Sequence, residues 1–293
     1  MCGITGFVGR GNREDIHAMT DALAHRGPDG EGFYLDEEKH VYLGHRRLSV
    51  RDIEGGAQPM WDNSGETGIV FNGEIYNFPE LRSELEATGV VFKTSHSDTE
   101  VLIHGYRHWG IDLARRLNGM FAFAILDKIR GSLYLARDRF GEKPLFYAAQ
   151  QGLFAFSSEL HSIEKHTEIQ SNISYLGLQK LFAYGYIPAP NSLLENVFKL
   201  PAGHQMIVDL KTLERKQTKY WEFLLTPDET LISADENVLA EQLQALISQS
   251  VSRRLVSDVP LGVFLSGGID SSAILCASAQ NSKGKKISSF TIG

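Results

Sequence analysis

Cysteine is scarce in this chain: Cys2 and Cys276 are the only two among 293 residues. Two thiols so far apart do not form a disulfide framework, and their scarcity fits a reducing compartment. Long apolar runs are missing too. The longest, such as 120–126, fall well short of the roughly 20 residues that cross a bilayer. The N-terminus also lacks the basic-then-apolar pattern of a secretory signal. A cytoplasmic protein without membrane attachment is therefore expected. The ten histidines show neither thiol neighbours nor a His-Glu-x-x-His spacing, so His161 and His166 read as ordinary polar residues. Positive charge is not in excess either. The formal net charge of -7 argues against nonspecific nucleic-acid binding. No internal repeat or low-complexity tract is found.

What is present suffices for two domains, since 42% of the residues are hydrophobic and 22% charged over a length that can bury two cores. Residues 1–160 alternate strand-like runs (4–9, 41–45, 68–71, 120–127, 132–138, 145–149 and 154–157) with helical spacings (14–26, 79–88 and 99–109). Many antiparallel-looking strands with a few amphipathic helices predict an α+β sandwich. A helix near 176–184 and a strand near 204–210 close this region, giving a first domain over 1–210. The polar, mixed stretch 211–235 reads as a linker. From 236 to 293 the pattern changes. A helix over 235–255 precedes a continuous apolar run at 259–265, as a buried parallel strand requires, then a Ser/Gly loop and a helix over 273–279.

Removal of Met1 would make Cys2 the first residue and place a thiol and a free α-amine on one residue. Their ordinary pKa values, about 8.5 and about 7.7–8.0, allow the amine to take the thiol's proton near neutral pH. The thiolate could then attack a carbonyl and form a thioester that water releases. The tetrahedral oxyanion needs two donors, and Asn72 and Gly73 can offer a side-chain amide and a backbone N–H. Asn72-Gly73 reads equally as a hairpin turn. A free amino-acid substrate needs its charges matched as well. Arg47 can grip an α-carboxylate as a fork, although it reads equally as a surface charge. Glu74 and Asp98 can receive an α-ammonium, although Ser97 and Glu100 around Asp98 also form a capping-box pattern.

Taken together these residues carry a resemblance. Met-Cys-Gly-Ile-Thr-Gly at 1–6, His-Arg-Gly-Pro-Asp at 25–29, Gly-His-Arg-Arg-Leu-Ser at 44–49, Phe-Asn-Gly-Glu-Ile-Tyr at 71–76 and Ser-Asp-Thr-Glu at 97–100 resemble, in order, the glutaminase domain of asparagine synthetases. Gly-Met-Phe-Ala-Phe at 119–123 and Arg-Asp-Arg-Phe-Gly-Glu-Lys-Pro-Leu at 137–145 extend the match. The resemblance implies a class II glutamine amidotransferase with a four-layer αββα N-terminal-nucleophile sandwich. It makes Cys2 the nucleophile, with Asn72 and Gly73 beside it in catalysis. It places Arg47, Leu48, Ser49, Val50, Arg51, Asn72, Gly73, Glu74 and Asp98 around glutamine.

The loop at 266–272 suits a phosphate, because glycines let the backbone come close and a helix N-terminus offers free N–H groups. It lacks the lysine of a Walker loop. It resembles instead the pyrophosphate loop of enzymes that cleave ATP to AMP, the start of an α/β ATP-pyrophosphatase-type (adenine nucleotide hydrolase-like) domain. On that resemblance Ser266, Gly267, Gly268, Asp270, Ser271 and Ser272 would meet ATP phosphates, Leu265 and Ile292 the adenosine, and Asp270 a Mg2+ ion. Cys276 reads as core packing. The family's later ATP and acceptor segments have no counterpart in the sequence, so a fragment, or a chain completed by another polypeptide, is expected. Exposed apolar edges are expected over 259–293. The expected function is glutamine-dependent asparagine synthesis, with glutamine, ATP and aspartate or another carboxylate as partners and a homodimer left open. Rivals are a relative that amidates a sugar acid or peptide, a sugar-phosphate amidotransferase, and a module that only binds an amino acid.

Overall fold

Burial on both faces marks the central strands of the first unit of the computed structural model, which describes every residue except Ser171, Lys283, Lys285 and Gly293. The chain divides into two units, Met1–Glu222 and Phe223–Gly293. The first holds two six-stranded sheets with antiparallel pairing throughout. Its strands are β1 (Gly3–Gly9), β2 (Gly30–Asp36), β3 (Val41–Arg47), β4 (Met60–Trp61), β5 (Thr67–Ile75), β6 (Gly119–Asp127), β7 (Ser132–Arg137), β8 (Phe146–Gln150), β9 (Leu153–Ser157), β10 (Val197–Lys199), β11 (His204–Asp209) and β12 (Arg215–Lys219). One sheet runs β10-β8-β9-β1-β3-β2 and the other β12-β11-β7-β6-β5-β4. The helices are α1 (Arg13–Asp21), α2 (Phe78–Ala87), α3 (Asp98–Trp109), α4 (Leu113–Arg116), α5 (Leu160–Ile163) and α6 (Tyr175–Tyr184).

Strand β6 shows why the layers form. Phe121, Phe123 and Ile125 face outward into a cluster with Leu81 and Leu85 of α2 and Val101, Leu102 and Tyr106 of α3. The alternate residues Ala122, Ala124 and Leu126 face inward, against Ile4, Val8, Val41 and Leu43 of the other sheet. A strand covered on both faces must be apolar at every position, and this one is nearly so. On the far side, Ile16 and Met19 of α1 and Ile163 of α5 pack on Phe7, Tyr42 and Ala155. Helix, sheet, sheet and helix make the expected αββα order. Each fully buried Leu or Phe in these clusters contributes roughly 1.5–3 kcal/mol.

Several sequence expectations change in detail. The helix read over 14–26 stops at Asp21, because Leu23 N–H to Thr20 O and Ala24 N–H to Asp21 O tighten the chain into turns. Leu23 then comes so close to Gly3 that a Cβ there would lie 2.8 Å from its Cβ. Asn72-Gly73 is not a hairpin turn. It lies inside β5, where a Cβ on Gly73 would lie 2.2 Å from the Met120 carbonyl oxygen. The supposed linker 211–235 contains β12, which pairs along β11. Its side chains, Arg-Lys-Gln-Thr-Lys, carry no apolar alternation because it is an exposed edge; charge suits an edge strand.

The second unit contains α7 (Glu236–Arg254), β13 (Gly262–Phe264), α8 (Ile269–Asn281) and β14 (Ser288–Phe290), with β13 and β14 parallel. The apolar run at 259–265 yields only this short strand, and Phe264 is 81% exposed. Among the described residues β14 is its sole paired neighbour, so the cover a buried parallel strand needs is missing here. Cys276 is exposed on α8 rather than in a core. It lines a groove with Leu243 and Ile247 of α7.

Candidate active site

Two inner faces meet at one end of the sandwich. Cys2 continues the inward parity of Ile4 and Val8 on β1, and Asn72 and Glu74 continue that of Val70 on β5. The register Gly3↔Arg46 brings Cys2 alongside the end of β3. There the Leu48 N–H donates to the Cys2 sulfur at 3.4 Å, and the thiol reaches Leu48 O at 3.6 Å. The His-Arg-Gly-Pro-Asp segment, which reads as a mere turn, fastens this corner. Arg26 Nε donates to Cys2 O at 3.0 Å and its Nη1 to Glu159 at 2.8 Å. Gly27 lies so near Arg46 that a Cβ would sit 2.3 Å from its backbone. Asp29 accepts from the Ser49 N–H at 2.7 Å.

Between the faces lies a cleft of about 130 Å3, lined by Cys2, Arg47, Leu48, Val50, Arg51, Asn72, Gly73, Glu74 and Asp98, among others. Of the expected glutamine residues, Ser49 alone is not in this lining. Met1, Gln58, Met120 and Lys143 also line it, and of these the sequence pointed to Met1 alone, as the residue to be removed. Gln58 carries no sequence signal; its Oε1 takes the Phe71 N–H at 2.6 Å.

The free donors are specific. Asn72 is 1% exposed, and its Nδ2 has no hydrogen-bond acceptor. A buried amide donor left unpaired costs roughly 1–3 kcal/mol, so its persistence at a cleft points to a ligand atom. The Gly73 N–H is aimed by the ladder. Phe121, its partner on β6, uses both backbone groups on Asp138: its N–H donates to Oδ2 at 3.2 Å and its C=O accepts from Asp138 N–H at 2.8 Å. Gly73 and Phe121 are therefore a non-hydrogen-bonded pair, and the Gly73 N–H points off the opposite edge of β5. On that edge Phe71 N–H is held by Gln58 and Ile75 N–H by Asp98 at 3.0 Å. Gly73 lies between them.

The charged residues differ from expectation in one respect. Arg47 already donates to Ile53 O at 2.9 Å, Arg51 O at 3.4 Å and Asp52 O at 2.5 Å. Of the five guanidinium N–H donors, two remain, so Arg47 both shapes the 51–53 loop and offers charge to the cleft. Arg51 joins the two acids, 3.5 Å from Asp98 and 3.9 Å from Glu74, and lies over the Phe78 ring. Asp98 opens α3 beside Ser97, whose Oγ accepts from Glu100 N–H at 3.4 Å. The capping box is only half made, because Glu100 turns instead to the Lys93 and Thr94 N–H groups.

Burial pushes Asp98 up to about 6, with Glu74 adding to the push while Arg51 and the Ile75 N–H oppose it. Burial also pushes the Cys2 thiol up, against the Leu48 hydrogen bond, the terminal amine and Arg47, with Asp98 adding to the rise. The terminal amine moves the other way, lowered mainly by burial and then by Arg26 and Lys143, with Cys2 and Asp29 opposing. A thiol that ionises reluctantly beside an amine that loses its proton easily suits a base that acts as the bond forms. That amine belongs to Met1 here, and Met1 is one of the residues that line the cleft.

In the second unit Ser266 N–H and Oγ both meet Ser271 Oγ, at 3.2 and 3.0 Å, while Ser271 and Ser272 donate to Gly268 O. Gly267 has φ +79 with open space where a Cβ would be, and Gly268 caps α8. Asp270 lies in the first turn of α8. Leu265 N–H is held by Phe290 O at 2.7 Å, and Ile292 is 96% exposed. Among the described residues no group of three or more His, Cys, Asp or Glu is placed to hold a metal. No helix among them is long and apolar enough to cross a membrane.

Two sheets between helical layers, with a cysteine at the head of a central strand, define an N-terminal-nucleophile glutamine amidotransferase fold. The chain belongs to the glutamine amidotransferase domain family, whose profile matches residues 1–221. Residues 242–293 match the Asparagine synthase family. The chain is 39% identical over 287 residues to Asparagine synthetase (glutamine-hydrolyzing) 3 of Bacillus subtilis, covering 95% of this chain and 45% of that protein. It is 38% identical over 315 residues to Putative asparagine synthetase (glutamine-hydrolyzing) 2 of Methanocaldococcus jannaschii, covering 100% and 60%. The chain thus spans about half the length of the curated relatives it matches. Glutamine phosphoribosylpyrophosphate amidotransferase from B. subtilis shares the fold at a TM-score of 0.55 and 16% identity, covering 99% of this chain and 65% of that one.

Proposed function

We propose that residues 1–222 release ammonia from glutamine, and that the whole protein uses this ammonia to make asparagine from aspartate and ATP. In this reading Met1 is removed first. The Cys2 amine takes the thiol proton while the sulfur attacks the side-chain carboxamide carbon. The oxyanion is met by Asn72 Nδ2 and the Gly73 N–H, ammonia leaves with the transferred proton, and a thioester remains. Water then cleaves the thioester to glutamate and restores the thiol. Arg47 and the backbone of Leu48 and Val50 would hold the α-carboxylate end, with Arg51 bracing Asp98 and Glu74 to receive the α-ammonium.

The single observation that carries this reading is the buried Asn72 amide with no acceptor, set in the same cleft as the Cys2 sulfur. Support for the synthetic half comes from the Asparagine synthase match over 242–293 and from the relatives' names. Leu265, Ser266, Gly267, Gly268, Ser271, Ser272 and Ile292 are the proposed ATP contacts. The open space at Gly267 and the α8 N-terminus suit a phosphate. For Mg2+ the donor set here is Asp270 alone. Mg2+ commonly takes one or two carboxylates plus phosphate oxygens, so the described residues do not make a metal site by themselves. A cytoplasmic location is likewise proposed, from the scarcity of cysteine.

The test is glutamate release from glutamine by the purified chain. Native protein should release it and Cys2→Ala should not. Equal rates from both would remove Cys2 from the mechanism.

A further inference from the structure

Lys143 is a buried amine at the cleft that the reaction as written does not use. It is 5% exposed and lines the cleft beside Met1, Cys2, Asn72 and Glu74. Its Nζ lies 3.2 Å from the Met1 sulfur. It is not a floppy side chain that happens to fall inward, because its loop is held at many points. Asp138 accepts from Phe140 and Glu142 N–H on Oδ1, and from Phe121 and Lys143 N–H on Oδ2. Arg137 donates to Lys143 O at 2.7 Å, Gly141 O at 2.8 Å and Leu200 O at 2.7 Å. Gly141 turns the loop at φ +69. Such a scaffold costs a good deal of polar matching, and it fixes where the Lys143 chain enters the cleft.

We propose that Lys143 is a positioning residue of the glutaminase site: it holds a positive charge beside the terminal amine, so that after Met1 leaves the Cys2 amine stands unprotonated and ready to act as base. The inference rests on the reading of Cys2 as nucleophile. With Met1 gone, the lysine Nζ loses its contact with the methionine sulfur while still lining the cleft that holds Cys2. Two ammonium groups at one small cleft disfavour each other's protons. Other charges around the pair set the outcome. Glu74 from β5 and Glu142 and Asp138 from the loop favour the protonated lysine, while Arg26 opposes it. Around the Met1 amine, Cys2 and Asp29 favour the protonated form, and Arg26 and Lys143 oppose it. Arg47 and Asp98 face the sulfur from β3 and α3. Burial lowers Lys143 first of all, and Glu74 is the largest of the charges that oppose it.

The experiment is the pH profile of kcat/KM for glutamine hydrolysis by the full chain, comparing native protein, Lys143→Met and Lys143→Arg. In Lys143→Met the acidic limb should move up by about one pH unit, with kcat/KM at pH 7 lowered about three- to fivefold for a native limb at about pH 6.5–7. Lys143→Arg should keep the native limb. A Lys143→Met limb that stays in place, whether or not kcat or KM changes, overturns the proposal. Should Lys143→Met fail to fold, acylation of the terminal amine by an anhydride, followed against pH in native protein and in Lys143→Gln, decides instead. An apparent amine pKa higher in Lys143→Gln than in native protein supports the proposal and an unchanged one overturns it. Native protein that releases no glutamate overturns the Cys2 reading and this inference together. Native activity with an unmoved limb overturns only this one.

Discussion

The Asn72 amide is the most informative side chain in the cleft, because its Nδ2 is enclosed by protein and offered to nothing in it. A donor aimed at an absent negative oxygen should matter to the rate far more than to binding. Asn72→Ala should therefore lower kcat for glutamine hydrolysis roughly 100–1000-fold and leave KM almost unchanged. A large rise in KM with little loss of kcat would instead make Asn72 a substrate-binding group. Asp98 carries the pH dependence of binding. Its carboxyl, pushed up to about 6 by burial, is protonated below that pH and has then lost the charge that attracts an ammonium. KM should rise as pH falls through about 6, and Asp98→Asn should show a high KM with no such dependence. A native KM that stays flat between pH 5 and pH 8 would exclude Asp98 from the ammonium site. How much of this site was legible depended on the residue. Cys2, Asn72 and Asp98 belong to short motifs with a chemical rationale. Gln58 enters the cleft because a distant loop turns toward it, with no local pattern to record that, and Lys143 lies in the 137–145 segment, which carries the resemblance without a chemical rationale of its own.

Elements owe their positions to different forces. Strands β1 and β6 are legible because both faces are covered and their apolar residues run on without interruption. Strand β2, with glycines and charges, and β12, with no apolar residue, escaped notice because the sheet edge, rather than their own side chains, defines them. The Asn72-Gly73 pair misled for a related reason. Its glycine serves close passage of β5 past β6, a tertiary demand that imitates a turn in sequence. The loop after β7 depends on one carboxylate. Asp138 satisfies four backbone N–H groups, those of Phe121, Phe140, Glu142 and Lys143. With buried unpaired donors costing roughly 1–3 kcal/mol each and partial relaxation of the loop, Asp138→Ala should lose about 3–5 kcal/mol of stability. Urea unfolding midpoints measure this. A loss under about 1 kcal/mol would mean that the loop finds other acceptors.

At the scale of the whole molecule, chemistry and chain division coincide. Every residue of the glutaminase cleft, from Met1 to Lys143, lies within Met1–Glu222. A chain ending at Glu222 should therefore fold and hydrolyse glutamine at the full chain's rate. Loss of cooperative unfolding in that fragment would show that the first unit leans on the second. The account as a whole depends on Cys2 supplying both its sulfur and its amine, which requires that Met1 be gone. The direct measurement is the intact mass of the protein together with active-site titration by an electrophilic glutamine analogue. The titrated fraction should equal the fraction of chains that begin at Cys2, with the label on that residue. Labelling and turnover by chains that retain Met1 would contradict the account.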